Sequence, residues 1–298
     1  MYFFYAGHHN FSYSDFGRFL FKRWARLSPA FYAATIVFVC IRFGFHQNAI
    51  PVLATSALYL NSIFTQYSAA GHLWTLGTEW QFYLLIPFIL IYQGTMGFTR
   101  VFLLIFGTLF LFSIVACLVL SDNEVLALTD QIPFRAIEFG FGIIAARLVL
   151  KNYLLTKNRF LALLLSIIIA FAGRLLISKA ALSLSPQYYN IIRLFGFTFM
   201  GAGFAGILYL AVTSQGMLNK FLSNRVFKTM GKISYSFYLW HGLAIELCTG
   251  WVLKLGFHNI ISPLLITLSG TLILYPMSMI SYRLLEKPFL SVGNLTTK

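Results

Sequence analysis

Four clusters of polar and ionisable side chains interrupt the apolar stretches of this sequence. Two of them carry groups suited to proton transfer. In the first, His72-Leu-Trp74-Thr75-Leu-Gly-Thr-Glu79-Trp-Gln-Phe-Tyr83-Leu-Leu-Ile-Pro87, the residues Thr75, Glu79 and Tyr83 fall at i, i+4 and i+8 and share a helix face. A carboxylate in hydrocarbon or in a bundle core is costly unless it is paired or protonated. Glu79 is therefore either a chemical group or one half of an interhelical ion pair with an arginine. In the second cluster, Ser234, Tyr238 and His241 fall at i, i+4 and i+7 and form one polar stripe. An imidazole on such a stripe is a candidate for proton transfer. The other two clusters read as structural. Arg135 and Glu138, at i and i+3, can pair with each other, with Gly142 continuing their face for a close helix approach. Arg283 and Glu286 can pair at a helix end, with Pro288 after them.

The elements that must position these groups are membrane helices. Of 298 residues, 59% are hydrophobic and only 10% charged, and the mean hydropathy is +0.78. Soluble domains carry about 25% charged residues, so the composition describes an all-α, polytopic transmembrane bundle. Lys and Arg number 22 against 8 Asp and Glu. In this setting the excess reads as positive-inside loops rather than nucleic-acid binding, with anionic lipid or a phosphorylated cofactor as a further use. Cys40, Cys117 and Cys248 lie far apart in apolar runs with no CxxC, as small core residues do. The N-terminus lacks the pattern of a cleavable signal peptide.

Apolar runs predict spans over 29–45, 72–92, 101–120, 134–150, 160–178, 191–213, 233–255 and 260–285, with Pro29 in the first turn of its helix. The 14 residues 51–64 are too short to cross. The basic loops 18–26, 147–159 and 220–232 and the C-terminus belong on the cytoplasmic side, and the acidic loop Asp122, Glu124, Asp130 outside. Parity is satisfied only if 51–64 is re-entrant or half-crossing, which leaves about eight full spans. The expected organisation is a basic interfacial segment over 1–27, a membrane domain over 28–290 and a short cytoplasmic tail over 291–298. Both termini are cytoplasmic in this scheme. The P-loop, HExxH and GxSxG patterns are absent from the sequence, so neither ATP hydrolysis nor zinc or serine-hydrolase chemistry is indicated.

Taken in order, four motifs resemble acyltransferase family 3, the membrane acyltransferases that include bacterial O-antigen acetylases. Phe21-Lys-Arg23-Trp-Ala-Arg26-Leu-Ser-Pro29-Ala-Phe31 is similar to the family's R-x-x-R-(I/L)-x-P-x-aromatic element. Trp74 to Pro87, preceded by Asn61, is similar to its W-S-L-x-x-E-x-Q-F-Y-x-L-x-P hallmark, with Trp80 where a second acid often stands. Arg135 to Gly142 resembles R-x-x-E-F-x-x-G, and Gly231 to His241 with Tyr282 to Pro288 resembles the C-terminal pair. The resemblance implies an inner-membrane enzyme that transfers an acyl group, acetyl in the usual case, from cytoplasmic acyl-CoA to a hydroxyl of a cell-surface carbohydrate such as O-antigen or exopolysaccharide. Acyl-CoA is then a substrate rather than a resident cofactor. Lipid is the surrounding partner, and neither nucleic acid nor a metal is expected.

By the same resemblance Arg23 and Arg26 hold the donor's phosphates. Trp74, Tyr83, Arg135, Glu138, Ser234, Tyr238 and Glu286 support the site. Family chains begin with a further helix or two that bear an arginine and the candidate catalytic histidine. This sequence starts after them, and His8 and His9 do not match that motif. Glu79 and His241 remain as the catalytic candidates. Two rival expectations stand beside the enzyme: an inactive, N-terminally truncated member, and a small-solute transporter whose polar residues line a pathway.

Overall fold

Proline at position 29 predicts a helix start, yet the helix that contains it begins sixteen residues earlier. In the computed structural model, α1 runs unbroken over Tyr13–Phe43 with Pro29 inside it. An interior proline removes one backbone hydrogen bond and costs about 3 kcal/mol. Packing around it offsets that cost: Ala25, Ser28, Ala30 and Phe31 are buried to 1% exposure or less. From Tyr13 onward, the expected interfacial segment and first span are thus one continuous helix. The described residues are 11–44, 49–151, 158–178, 186–213, 217–256 and 261–290. His8 and His9, part of the basic loop 147–159, and the tail 291–298 lie outside them.

All regular elements among the described residues are helical. After α1 come α2 (Ala49–Ala57), two 3₁₀ turns (Thr65–Tyr67 and Gly71–Leu73) and α3 (Trp74–Met96). Next are α4 (Phe98–Val119), α5 (Asp122–Leu128), α6 (Ile132–Leu150), α7 (Arg159–Ile177) and α8 (Pro186–Thr213). The chain ends with α9 (Met217–Leu222), α10 (Arg225–Lys254) and α11 (Ser262–Leu290). Each of the eight predicted spans falls on one of these helices. Five of them, in α1, α4, α7, α8 and α11, are long and apolar enough to cross a membrane. The three that fall short, α3, α6 and α10, carry the polar motifs, so their own hydropathy is diluted by the groups they hold. At 1.5 Å per residue the nine residues of α2 reach only about 13 Å, less than half of a hydrocarbon core of about 30 Å.

The chain divides into two compact units. Among the described residues, a central unit holds 78–223 with 11–13, and a terminal unit holds 14–77 with 224–290; the division falls inside α3, between Gly77 and Thr78. In the central unit, α7 and α8 approach almost backbone to backbone. A Cβ added at Gly203 would sit 2.5 Å from the Ala170 nitrogen, and one at Gly173 would sit 2.6 Å from the Gly196 oxygen. Small residues replace a hydrophobic drive that lipid does not supply. On α6 the close-packed glycine is Gly140, 3.1 Å from Phe106, whereas the expected Gly142 has nothing within 4 Å. The three cysteines are unpaired, two of them buried.

In the terminal unit, α10 lies along α11, and α1 is fastened to the segment after α2. The Ser28 and Tyr59 hydroxyls are 2.7 Å apart. Phe31 stacks on Tyr59 with centroids 4.9 Å apart. These contacts hold Tyr59 at φ +57°, a left-handed conformation rare for a side chain of this size. The fully buried Asn61 amide donates to the Leu73 carbonyl and so fixes the entry to α3. Gly77 packs on the same loop, where a Cβ would meet Ser62 Oγ at 2.6 Å.

Candidate active site

The N-terminal and C-terminal motifs meet in the terminal unit although some 200 residues separate them in sequence. Tyr235 on α10 donates its hydroxyl to the Leu27 carbonyl of α1 at 2.8 Å. The adjacent Ser236 donates to the carboxylate of Glu286 and lies 2.9 Å from Ser281 Oγ. Residues five apart on a regular α-helix point about 140° from each other. The π turn Tyr282–Glu286 removes that divergence and brings both α11 side chains onto Ser236. Glu286 is 2% exposed, and its partner is Ser236 rather than the expected Arg283. Arg26 on α1 acts on it electrostatically.

These bonds set α1, α10 and α11 at one level and gather their basic residues there. Arg23 is half-buried, its guanidinium 5.2 Å from the Phe19 ring centroid, while Arg26, Lys232, Arg283 and Lys287 are exposed. The result is a basic rim contributed by three helices. Basic residues carried at about one level by three helices suit the phosphates of a polyanionic substrate.

His241 lies five residues beyond Ser236, about 8 Å along the axis. Its ring packs against His72, with centroids 4.4 Å apart. Sequence reasoning did not single out His72; the signal available was an imidazole two residues before Trp74, at the mouth of the first cluster. Backbone carbonyls fix both tautomers, because a carbonyl can only accept. His241 Nδ1 donates to the Tyr238 carbonyl at 2.6 Å, and His72 Nε2 donates to the Leu239 carbonyl at 3.1 Å. In the neutral rings the lone pairs therefore sit on His241 Nε2 and His72 Nδ1. The Tyr238 hydroxyl donates to the His72 carbonyl and takes the Thr75 hydroxyl as its own donor. Phe38 closes one side, edge-on to His72 at 5.9 Å and stacked on Trp240 at 6.3 Å. Beyond the pair, Arg42 binds Glu246 at 3.1 Å. The predicted stripe of Ser234, Tyr238 and His241 is real: all three line one cavity of about 680 Å³ between α10 and α11.

The remaining predicted residues do other things. Trp74 opens α3, and its exposure is intermediate. Glu79 belongs to the central unit and takes the hydroxyl of Tyr83, one turn on, as its partner; the expected arginine does not appear in its ion pairs among the described residues. Arg135 pairs with Glu138 at 3.3 Å, as expected, and with Asp130 at 3.4 Å, and its guanidinium lies 3.9 Å from the Phe197 ring centroid. This network ties the loop before α6 to α8. No group of three or more His, Cys, Asp or Glu among the described residues could hold a metal.

The profile of acyltransferase family 3, described as an acyltransferase domain, matches residues 1–283. A putative acetyltransferase, ORF330 of Acidianus two-tailed virus, is 29% identical over 246 residues, covering 78% of this chain and 67% of that protein. No solved structure matches. The four motifs in order and a match along nearly the whole chain place this protein in acyltransferase family 3, as a helical membrane-type transferase.

Proposed function

We propose that this acyltransferase moves an acetyl group from cytoplasmic acetyl-CoA to a hydroxyl of a cell-surface carbohydrate, working in the inner membrane with both termini cytoplasmic. The observation that carries this reading is the placement, on the helices of one unit, of a basic rim and a pair of tautomerically fixed imidazoles. Arg23 and Arg26 hold the donor's phosphates at the rim, with Lys232, Arg283 and Lys287 adding to the field. His241 is the general base. Its Nε2 takes the proton of the acceptor hydroxyl as that oxygen attacks the thioester carbonyl. The tetrahedral adduct collapses with cleavage of the C–S bond. The CoA thiolate leaves and recovers the proton from the imidazolium, giving ester and free thiol. His72 packs on His241 and holds its ring in place. Glu286 ties α11 to α10 through the Ser236 hydroxyl, and Glu79 is held within α3 by the Tyr83 hydroxyl. The identity of His241 and its lone pair supports the base role; the excess of basic residues at one end of the helices supports the donor side.

Membranes carrying the full chain, supplied with labelled acetyl-CoA, test this. His241→Ala should lower transfer to surface polysaccharide by at least 10²-fold, the range of general base catalysis. Arg26→Ala should raise KM for acetyl-CoA while kcat stays within a few-fold. Robust transfer that is indifferent to both substitutions would refute the assignment.

A further inference from the structure

The cavity beside His241 is larger and more apolar than an acetyl group and a sugar hydroxyl require. At about 680 Å³ it lies within the roughly 300–1,000 Å³ of small-molecule sites. Of its polar residues on α10, Ser234, Tyr238 and His241 occupy the half nearer the basic rim, and Thr249 stands alone at the far end. Past His241, toward Thr249 and Pro263, the walls are Ala244, Ile245 and Ile266. The threonines of α11 do not make that half polar: Thr267 and Thr271 give their hydroxyls to the carbonyls one turn back, at 2.7 Å each. From His241 to Thr249 the groove runs eight residues, about 12 Å.

The groove also opens toward lipid. On α11, a membrane-spanning candidate, Leu264, Leu268 and Leu272 follow at i, i+4 and i+8 with exposures of 59%, 56% and 75%. They flank Thr267 and Thr271 on the rim of the groove. Ile245, on its opposite wall, is 49% exposed. Gly270 forms part of the floor, and a Cβ added there meets nothing within 4 Å.

From this we infer that the α10–α11 groove takes an alkyl chain, and that the chain belongs to the acceptor. The acceptor is then a lipid-borne alcohol, such as a sugar on a lipid carrier. It enters sideways from the bilayer, lays its tail along Ala244, Ile245 and Ile266, and presents its hydroxyl at His241 Nε2. The inference rests on His241 as the base, and it names the acceptor class for that site.

The test uses the full chain in phosphatidylcholine vesicles with a dodecyl glucoside bearing a diazirine at the chain terminus. Photolysis should place adducts on Ile245, Ile266 or Thr249, and Gly270→Leu, whose Cβ meets nothing within 4 Å and whose branch reaches into the groove, should cut them by at least 5-fold. Adducts spread over the lipid-exposed face of α7 at Leu164 and Ile168, with no enrichment in the groove, would overturn the site. Labelling of the groove by a diazirine palmitoyl-CoA but not by the glucoside would overturn the acceptor assignment and give the tail to the donor. Because labelling needs no turnover, an enzyme inactive toward acetyl-CoA leaves this result readable, so failure of the catalytic reading and failure of the groove are told apart. Where transfer is active, Gly270→Leu should lower the ratio of transfer to dodecyl glucoside over methyl glucoside by at least 10-fold, and an unchanged ratio would overturn the groove.

Discussion

Alanine at position 242 should disable the imidazole pair without unfolding the protein. Gly242 follows His241 on α10, and a Cβ there would lie 2.6 Å from His72 Cε1 and 2.8 Å from Nδ1. Carbon atoms rest at about 3.5–4.0 Å, so the His72 ring must retreat by about 1 Å. That motion breaks the 3.1 Å bond from its Nε2 to the Leu239 carbonyl, a loss of about 1 kcal/mol. Replacing glycine by alanine inside a helix returns about 1 kcal/mol of propensity, so net stability should hardly change. Activity should change strongly. A displacement of about 1 Å in a group that sets catalytic geometry costs about 10²-fold, or about 2.7 kcal/mol of activation free energy. The assay is acetyl transfer in membranes, with thermal unfolding in detergent measured on the same preparations. Gly250→Ala on the same helix, where an added Cβ meets nothing within 4 Å, is the control for propensity alone. Transfer by Gly242→Ala within 2-fold of wild type, at unchanged stability, would refute the claim that His72 positions the base.

Three further outcomes follow from the bonds described. Ser236→Ala leaves the buried Glu286 carboxylate without its hydroxyl donor and should destabilise the chain by about 1–3 kcal/mol, read as a lower melting temperature in detergent. Arg135→Gln strands Asp130 and Glu138, whose shared guanidinium is only 17% exposed, and should cost about 3 kcal/mol in the same measurement. At the N-terminus of α5 the Ser121 hydroxyl and backbone N–H both donate to Glu124 and hold its carboxyl below the ordinary value of 4.5. Because the folded value is the lower one, this contribution is complete above the unfolded value and is lost as pH falls through the folded one. Amide exchange over residues 122–128 should therefore quicken between pH 6 and pH 3, after correction for intrinsic rates, and Ser121→Ala should remove that step.

Periodicity and composition made the helices, their approximate limits and the polar stripe of Ser234, Tyr238 and His241 legible from sequence, because a helix repeat of 3.6 residues is a local property. The Arg135–Glu138 pair was readable for the same reason, being one turn apart. The motif order was enough to suggest the family. Pro29 was misread because a local rule favours proline in the first turn, while the neighbours that make an interior proline tolerable lie far away in sequence. Glu79 drew attention through the cost of burying a carboxylate; its partner, Tyr83, was already on the same face, but sequence could not rank a phenol against an arginine.

What only the tertiary structure decided is which distant groups meet. His72 lies 169 residues before His241 by number, and no local signal marks two such imidazoles as neighbours at 4.4 Å. The tautomers depend on carbonyls freed or presented by particular turns of α10. Glu286 reaches Ser236 through a π turn that shifts the helix register by one residue, an effect invisible to a fixed 3.6 period. The sequence alone determined that this is a helical membrane protein with charged groups held in apolar surroundings. The packing of α1, α10 and α11, with the turn that carries His72, decided that those groups form a basic rim, an imidazole pair and a groove, because side chains far apart in the chain become neighbours only when their elements bury a common face.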